Sequence, residues 1–434
     1  LIQECNLALN SPLKISIMRY IIVLNIVLFL FGCQNSNIDQ QEGNDTTALE
    51  LGIWRGTLTL AGGETPFQIE LTKEADSYQA TLINGDERFV LDEVSQKEDS
   101  LIINLDVFGA VLASKIIDHK TLEGKWIRFD YGKPYEVPFQ AKQGLTYRFP
   151  EEGADPEVDF TGKWEVTFTE EDGKQYPAIG IFEQKGSIVT GTFLTQTGDY
   201  RYLEGKVTGR EIALSTFDGG HGFLFKGKLD EEETFIGEFW PGRYGYEKWE
   251  GLRNDTAQLA NPDSLTFLKE GYEKIAFSFP NLAKAQVSLD DEKYKDKVVI
   301  VQIFGSWCPN CLDETRFLVP YYNKNKDRGL EIIGLAYERS SDFEKARQRV
   351  EKMIEKYDIS YDFLIAGVND KTKASETLPM LNRILAYPTT IFLDRQGKIR
   401  KIHTGFNGPG TGVYYEKFVN EFNQFMDKLL EENI

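Results

Sequence analysis

The sequence predicts an α/β domain at the C-terminal end of the chain, behind an all-β region of two repeated antiparallel units, barrel or sandwich in type. Three observations carry that prediction. From about residue 51 to 252, short stretches of alternating character such as T-L-T-L (57–60) and R-E-I-A-L-S-T-F (210–217) recur. Turn signals, including Asn84-Gly85 and Asp218-Gly219, separate them at intervals of roughly 8–12 residues. The same region matches itself: Gly52-Ile53-Trp54 recurs as Gly162-Lys163-Trp164, Gly124-Lys125-Trp126 as Gly237-Glu238-Phe239, and Tyr131-Gly132 as Tyr244-Gly245. After Arg253 the texture changes, and continuous apolar runs begin to alternate with helical periods.

In chain order, the first element is a targeting segment. Met18-Arg19, the expected start of translation, precedes an apolar run I-I-V-L-N-I-V-L-F-L-F (21–31), which ends in L-F-G-C (30–33). The run falls short of the roughly 18 apolar residues a bilayer span requires and reads as the core of a signal peptide, residues 1–33. L-F-G-C resembles the lipobox of bacterial lipoproteins, which implies cleavage before Cys33 and diacylation of that cysteine; an ordinary secretory signal is the alternative. Two acyl chains would give a stable lipid anchor. Gln34 stands where an Asp would signal inner-membrane retention, which favours the outer membrane. The polar stretch 34–49 is expected to be a flexible tether.

The two β units are placed at 50–148 and 158–253, joined by P-E-E-G-A-D-P-E-V-D (150–159), each with room for about eight strands. Trp54, Phe67, Trp126, Phe139, Trp164, Trp240 and Trp249 either line a ligand pocket or form the core. A connecting segment follows at 254–274, with N-P-D-S-L (261–265) expected to open a short helix at Ser264. In 275–434, V-V-I-V-Q-I-F (298–304) reads as a central strand buried on both faces. A helix follows the C-P-N-C of 308–311, and E-I-I-G-L-A-Y (331–337) is a second strand. Ser341-Asp342-Phe343-Glu344 fits a capping box opening a helix with Ala346, Val350, Ile354 and Tyr357 on one side. T-T-I-F-L-D (389–394) and K-I-R-K-I-H (398–403) form a hairpin. The last helix carries Tyr415, Phe418, Phe422, Phe425 and Leu429 on one stripe.

Composition limits the function. The 434 residues exceed one ordinary core, and 41% hydrophobic with 13% aromatic residues supports packed domains. A net charge of −19 disfavours nucleic acid and anionic membrane surfaces as partners. Of four cysteines, Cys5 precedes the expected start and Cys33 is assigned to lipid, which leaves Cys308 and Cys311 as the thiols of the mature chain. With only three histidines and no further cysteine pair, a four-ligand zinc site is not expected.

The stretch V-S-L-D-D-E-K-Y-K-D-K-V-V-I-V-Q-I-F-G-S-W-C-P-N-C (287–311), together with Y-P-T-T-I-F-L-D-R-Q-G-K-I (387–399), resembles the TlpA/ResA branch of extracytoplasmic thioredoxins. The resemblance covers about 275–432 and implies a thioredoxin-like fold with thiol–disulfide oxidoreductase activity. Its only redox group would be the Cys308–Cys311 disulfide, with no other cofactor. The thiolate is the attacking form, and a helix N-terminus at Cys308 would favour it. Cys308 is therefore expected to attack from a solvent-accessible position, and Cys311, a turn on, to resolve. By resemblance, Pro388 is a cis-proline whose neighbours Tyr387 and Thr389, with Trp307 and Pro309, contact the substrate peptide. Gln302 replaces the buried Asp of thioredoxin itself. Glu314 occupies the branch's Glu position three residues after Cys311, as a proton acceptor or relay or as a solvated helix carboxylate. Arg316 stands where the branch often has a helix-kinking proline, so a straighter helix is expected.

These readings converge on an envelope-facing, lipid-anchored reductase of protein disulfides, whose partners are oxidised or reduced envelope proteins and an upstream membrane thiol–disulfide carrier. One alternative is a peroxiredoxin-type peroxidase, although Gly305 stands where a peroxidatic site has its hydroxyl. Another is an envelope lipoprotein whose β units bind a ligand or partner, with the redox domain as accessory.

Overall fold

The computed structural model describes residues 48–432 except 76, 92 and 130–133, all of them within one compact unit, Thr46–Ile434. The signal segment, Cys5, Cys33, most of the tether and the Tyr131-Gly132 half of one repeat match lie outside the described residues. Among the described residues no helix is long and apolar enough to cross a membrane.

Alternating burial of side chains, strict over Glu87–Leu91 and Ser100–Leu105 and looser over Gly52–Asn84, builds the first sheet. Its nine strands are β1 (Gly52–Leu60), β2 (Gly63–Glu74), β3 (Ser77–Asn84), β4 (Glu87–Leu91), β5 (Val94–Lys97), β6 (Ser100–Leu105), β7 (Ala110–Asp118), β8 (Thr121–Arg128) and β9 (Tyr135–Gln143). Consecutive strands pair antiparallel, β9 returns to β1, and β4 and β5 are the two ends of the sheet. The second sheet comprises β10 (Gly162–Glu170), β11 (Gln175–Lys185), β12 (Ile188–Thr195), the two-residue β13 (Gly198–Asp199), β14 (Leu203–Thr208), β15 (Glu211–Phe217), β16 (Gly222–Leu229), β17 (Phe235–Pro241) and β18 (Glu247–Arg253). Here β11 pairs with β12, β12 with β14 and β18 with β10, so eight strands close into a barrel with β13 as an appendage.

The two sheets share a structural detail that the sequence match pointed to. Trp54 Nε1 donates to Glu50 O at 3.0 Å and Trp164 Nε1 to Phe160 O at 2.9 Å, each four residues back along the chain. A barrel of eight strands has an interior just wide enough for side chains, and aromatics fill this one: Phe225 and Phe239 stack at 4.0 Å, beside Phe168, Phe193, Phe235 and Trp249. All seven aromatics singled out in the sequence are buried core side chains, between 0% and 8% exposed. The first sheet, barrel-like but open between β4 and β5, shares a core with the second barrel, whose Phe217 lies 4.4 Å from Phe67 and 5.2 Å from Trp126 of the first. Arg148, buried in the connection between them, donates to Ile83 O at 2.8 Å and Pro66 O at 3.1 Å.

The C-terminal region opens with a small hairpin, β19 (Ser278–Pro280) and β20 (Gln286–Ser288), and then forms a five-stranded sheet. Its strands are β21 (Val298–Phe304), β22 (Leu330–Glu338), β23 (Asp362–Val368), β24 (Thr389–Leu393) and β25 (Ile399–Thr404), in the order β23-β22-β21-β24-β25. The first three are parallel and the last two antiparallel. Every residue of β21 is buried, as its apolar run required. The helices are α1 (Pro309–Asn325), α2 (Phe343–Tyr357), α3 (Lys371–Thr377) and α4 (Val413–Glu431).

Several local expectations need correction. Neither β23 nor α3 was anticipated. The short helix near 262 starts at Pro262, capped by Asn261 rather than opening at Ser264, because the Asn261 side chain accepts the Asp263 N–H. The cap of α2 is Asp342, whose carboxylate accepts from the N–H groups of Glu344 and Lys345, so Ser341 lies outside the helix. Arg316 lies within α1, and four residues on the same helix carries Pro320, which lacks the N–H to bond the carbonyl of Arg316.

Candidate active site

The chain leaves β21 at Phe304, turns through Gly305-Ser306-Trp307, and re-enters regular structure with Cys308 as the N-cap of α1. Pro309 suits the first helical position because it has no N–H to satisfy. Glu338, at the end of β22, fixes the turn by accepting from both Ser306 N and Ser306 Oγ at 2.8 Å. The Cys308 sulfur accepts the Cys311 N–H at 3.3 Å, an N-cap geometry that stabilises negative charge on sulfur. The same sulfur lies 3.5 Å from the Tyr387 carbonyl, next to the cis Tyr387-Pro388 bond. Thr389 is buried and donates through Oγ1 to Ala386 O at 2.9 Å. Trp307 is half-buried, anchored by Nε1 on Tyr337 O at 2.9 Å, with its ring edge-on to Tyr387 at 5.6 Å.

Both cysteines are free, and their burial differs: Cys308 is 7% exposed and Cys311 0%. Burial, followed by its neighbour Cys308, pushes the Cys311 thiol well above its ordinary range, and Glu314 adds to the effect. Glu314 is not a solvated helix carboxylate. It is 2% exposed, with Oε2 accepting from Gln302 Nε2 at 2.8 Å and Oε1 from Thr390 Oγ1 at 2.7 Å. Burial raises its carboxyl above the usual carboxylate range, against the opposing pull of those two hydrogen bonds. Gln302, in the usual Asp place, thus serves as a donor that holds Glu314 inside the protein.

The expectation of open solvent access at Cys308 does not hold. The second barrel covers the N-terminus of α1: Asn310 Nδ2 donates to Asp199 O at 3.2 Å, and Arg201 Nη1 reaches Pro309 O at 3.5 Å. Gly220 packs so closely that a Cβ there would sit 3.1 Å from Pro309 Cγ and 3.3 Å from Phe108 Cδ1.

The sequence did not disclose the charge cluster at this contact. Arg201, 4% exposed, pairs with Asp313 of α1, with Glu87 of the first barrel at 2.5 Å and with Asp218 at 3.5 Å. Asp199 is buried beside them, accepting from Arg201 N and from Gly408 N at 2.7 Å each. One guanidinium therefore faces four buried carboxylates. Burial, with Glu87 and Asp199 adding to it and Arg201 opposing it, pushes Asp313 up to about 7. Asp199-x-Arg201 and Glu87 carry no local signal; only the tertiary fold brings them together.

Residues 269–416 match the Redoxin family. Over 140 residues the chain is 26% identical to the thioredoxin-like protein YneN of Bacillus subtilis (strain 168), covering 32% of this chain and 73% of that protein. Over 136 residues it is 25% identical to the thiol-disulfide oxidoreductase ResA of Bacillus thuringiensis subsp. konkukian, covering 31% of this chain and 71% of that protein. The thioredoxin domain of a Bacteroides vulgatus thiol-disulfide oxidoreductase covers 36% of this chain and 100% of its own at 28% identity, with a TM-score of 0.26. The C-terminal part of this chain thus matches the Redoxin family over residues 269–416 and is similar in sequence to the ResA-type thioredoxin-like oxidoreductases.

Proposed function

We propose that the chain is a thiol–disulfide oxidoreductase working as a disulfide reductase of envelope proteins, held at the membrane by lipid on Cys33. The carrying observation is the asymmetry of the dithiol: Cys308 at the helix N-cap receives the Cys311 N–H, while Cys311 is fully buried near Glu314. The Cys308 thiolate attacks one sulfur of a substrate disulfide, forming a mixed disulfide and releasing the other sulfur as a thiolate that takes up a proton. Cys311 then loses its proton and attacks Cys308 Sγ, which frees the second substrate thiol and leaves the Cys308–Cys311 disulfide. Two electrons and two protons have passed to the substrate, and a dithiol carrier in the membrane must restore the reduced pair. Glu314 is the proposed acceptor of the Cys311 proton. Trp307, Pro309 and the Tyr387-Pro388-Thr389 segment are proposed to contact the substrate chain.

The likeness to the TlpA/ResA branch favours the reducing direction, whereas strongly oxidising dithiols are those whose reduced form is favoured. The test is the reduction potential of the pair. A value near about −270 mV is expected, and one near about −120 mV would identify an oxidant. Membrane attachment is tested by Cys33→Ser, which should move the protein to the soluble fraction; continued sedimentation with unchanged acyl labelling would refute the anchor.

A further inference from the structure

We propose that His403, held by Asp263, is the outlet for the proton that Cys311 releases, carrying it from Glu314 to the cleft beside β25; this rests on the thiol–disulfide reading above. Glu314 is buried, so a proton taken up there in one turnover needs a way out before the next. The register of the sheet supplies one. Gln302 of β21 lies opposite Thr390 of β24, and Thr390 lies opposite His403 of β25. Residues paired in this way point to the same face of a sheet, with Cβ atoms about 5 Å apart. Gln302 and Thr390 both donate to Glu314, so His403 stands on the Glu314 face, one strand further out. Its ring packs 5.5 Å from Phe418 of α4, which also meets Phe317 of α1 at 5.5 Å.

On its other side His403 meets a cleft of ≈ 720 Å³, lined also by Asp263, Lys401, Lys163 of the second barrel, and Lys417 and Glu421 of α4. His403 Nδ1 lies 2.7 Å from Asp263 Oδ1. A carboxylate only accepts, so Nδ1 carries the hydrogen and Nε2 is the acceptor. The charged neighbours have partners of their own: Lys401 reaches Asp263 at 3.8 Å, Lys417 reaches Glu421 at 3.7 Å, and Lys163 lies 5.6 Å over the Tyr414 ring. Burial raises the Glu314 carboxyl, Thr390 and Gln302 draw it back, and His403 adds to their pull, so the imidazole is within electrostatic reach of it. When Cys311 attacks Cys308 Sγ, its S–H bond breaks and the proton forms an O–H bond on Glu314. That proton crosses the Thr390–His403 pair to Nε2, and the imidazolium then gives a proton to solvent in the cleft. Glu314 returns to the carboxylate and His403 to its neutral form.

The experiment mixes the reduced full chain with excess Ellman's reagent, which releases one coloured thiolate when Cys308 attacks and a second when Cys311 resolves. Attack quickens with reagent concentration and resolution does not, so the two bursts separate. H403Q should slow the second burst about fivefold or more near pH 7 while the first keeps its rate. It should also lose the inflection between about pH 5 and pH 8 that an imidazole gives the parent's second burst. D263N keeps the ring but not the acceptor that orients it, so it too should slow the second burst alone, and it stands in if H403Q does not fold. Equal slowing of both bursts, or a second burst with the parent's rate and pH profile, would overturn the outlet while the redox reading stands. If the parent releases a single thiolate, or Cys311→Ser still releases two, the redox reading fails and this proposal with it.

Discussion

A carboxylate three residues beyond a cysteine on a helix could as well face water. For Glu314 the decision lies with Gln302 and Thr390, which donate to its two oxygens inside the protein. The motif spacing placed Glu314 near Cys311, but its burial was not legible, because it depends on a strand twelve residues earlier and another seventy-six later. Glu314→Gln should slow disulfide turnover by about tenfold or more, a modest general-base effect. Unchanged turnover across about pH 6 to 9 would exclude a proton-transfer role. The folded carboxyl ionises above its ordinary value of 4.5, so its contribution to stability is fully present below that value and is lost as pH rises through the folded value. The non-ionising variant escapes this loss. Its Tm relative to the parent should therefore rise with pH above about 4.5.

At the scale of elements, local chemistry was legible where it was self-contained. β21 announced itself by an apolar run interrupted only by Gln302, the hairpin of β24 and β25 by its Arg395-Gln396-Gly397 turn, and α4 by its stripe. The opening strands of the two barrels were visible through their Gly-x-Trp pairs. β23 and α3 escaped because each is seven residues long and carries neither an alternating pattern nor a full helical stripe. The start of α2 was misplaced by one residue because Ser341 and Asp342 are both good caps, and only the backbone decides between them. Asp342→Ala should cost about 1 kcal/mol of stability. Ser341→Ala should stay within about 0.5 kcal/mol in the same urea titrations. The reverse order would restore the capping box.

Across the whole molecule, the barrels are more than appendages of the redox domain, because a single guanidinium ties all three parts together at the dithiol. Arg201 of the second barrel meets Glu87 of the first and Asp313 of α1. No sequence pattern could show this, since the partners are over a hundred positions away in either direction. Arg201→Met leaves four buried carboxylates without their cation and should cost about 3–5 kcal/mol near pH 8. An unchanged denaturation midpoint would show the cluster to be inert. Asp313 has a folded value of about 7 against an ordinary 3.8, so its protonated form supports the fold fully below 3.8 and that support fades as pH rises through about 7. Asp313→Asn should flatten this decline, seen as a smaller loss of Tm between pH 4 and pH 7.

Division of labour between the two sulfurs is the point on which the proposed chemistry depends. Cys308 retains a sliver of exposure and the helix N-cap, whereas Cys311 has no exposure. Envelope extract offered to the full-length single mutants, followed by non-reducing electrophoresis, reads this out directly. Cys311→Ser should accumulate mixed disulfides through Cys308, because attack remains and release is lost, and Cys308→Ser should capture nothing. Equal trapping by both variants, or trapping by Cys308→Ser alone, would contradict the assignment of Cys308 as the attacking thiol.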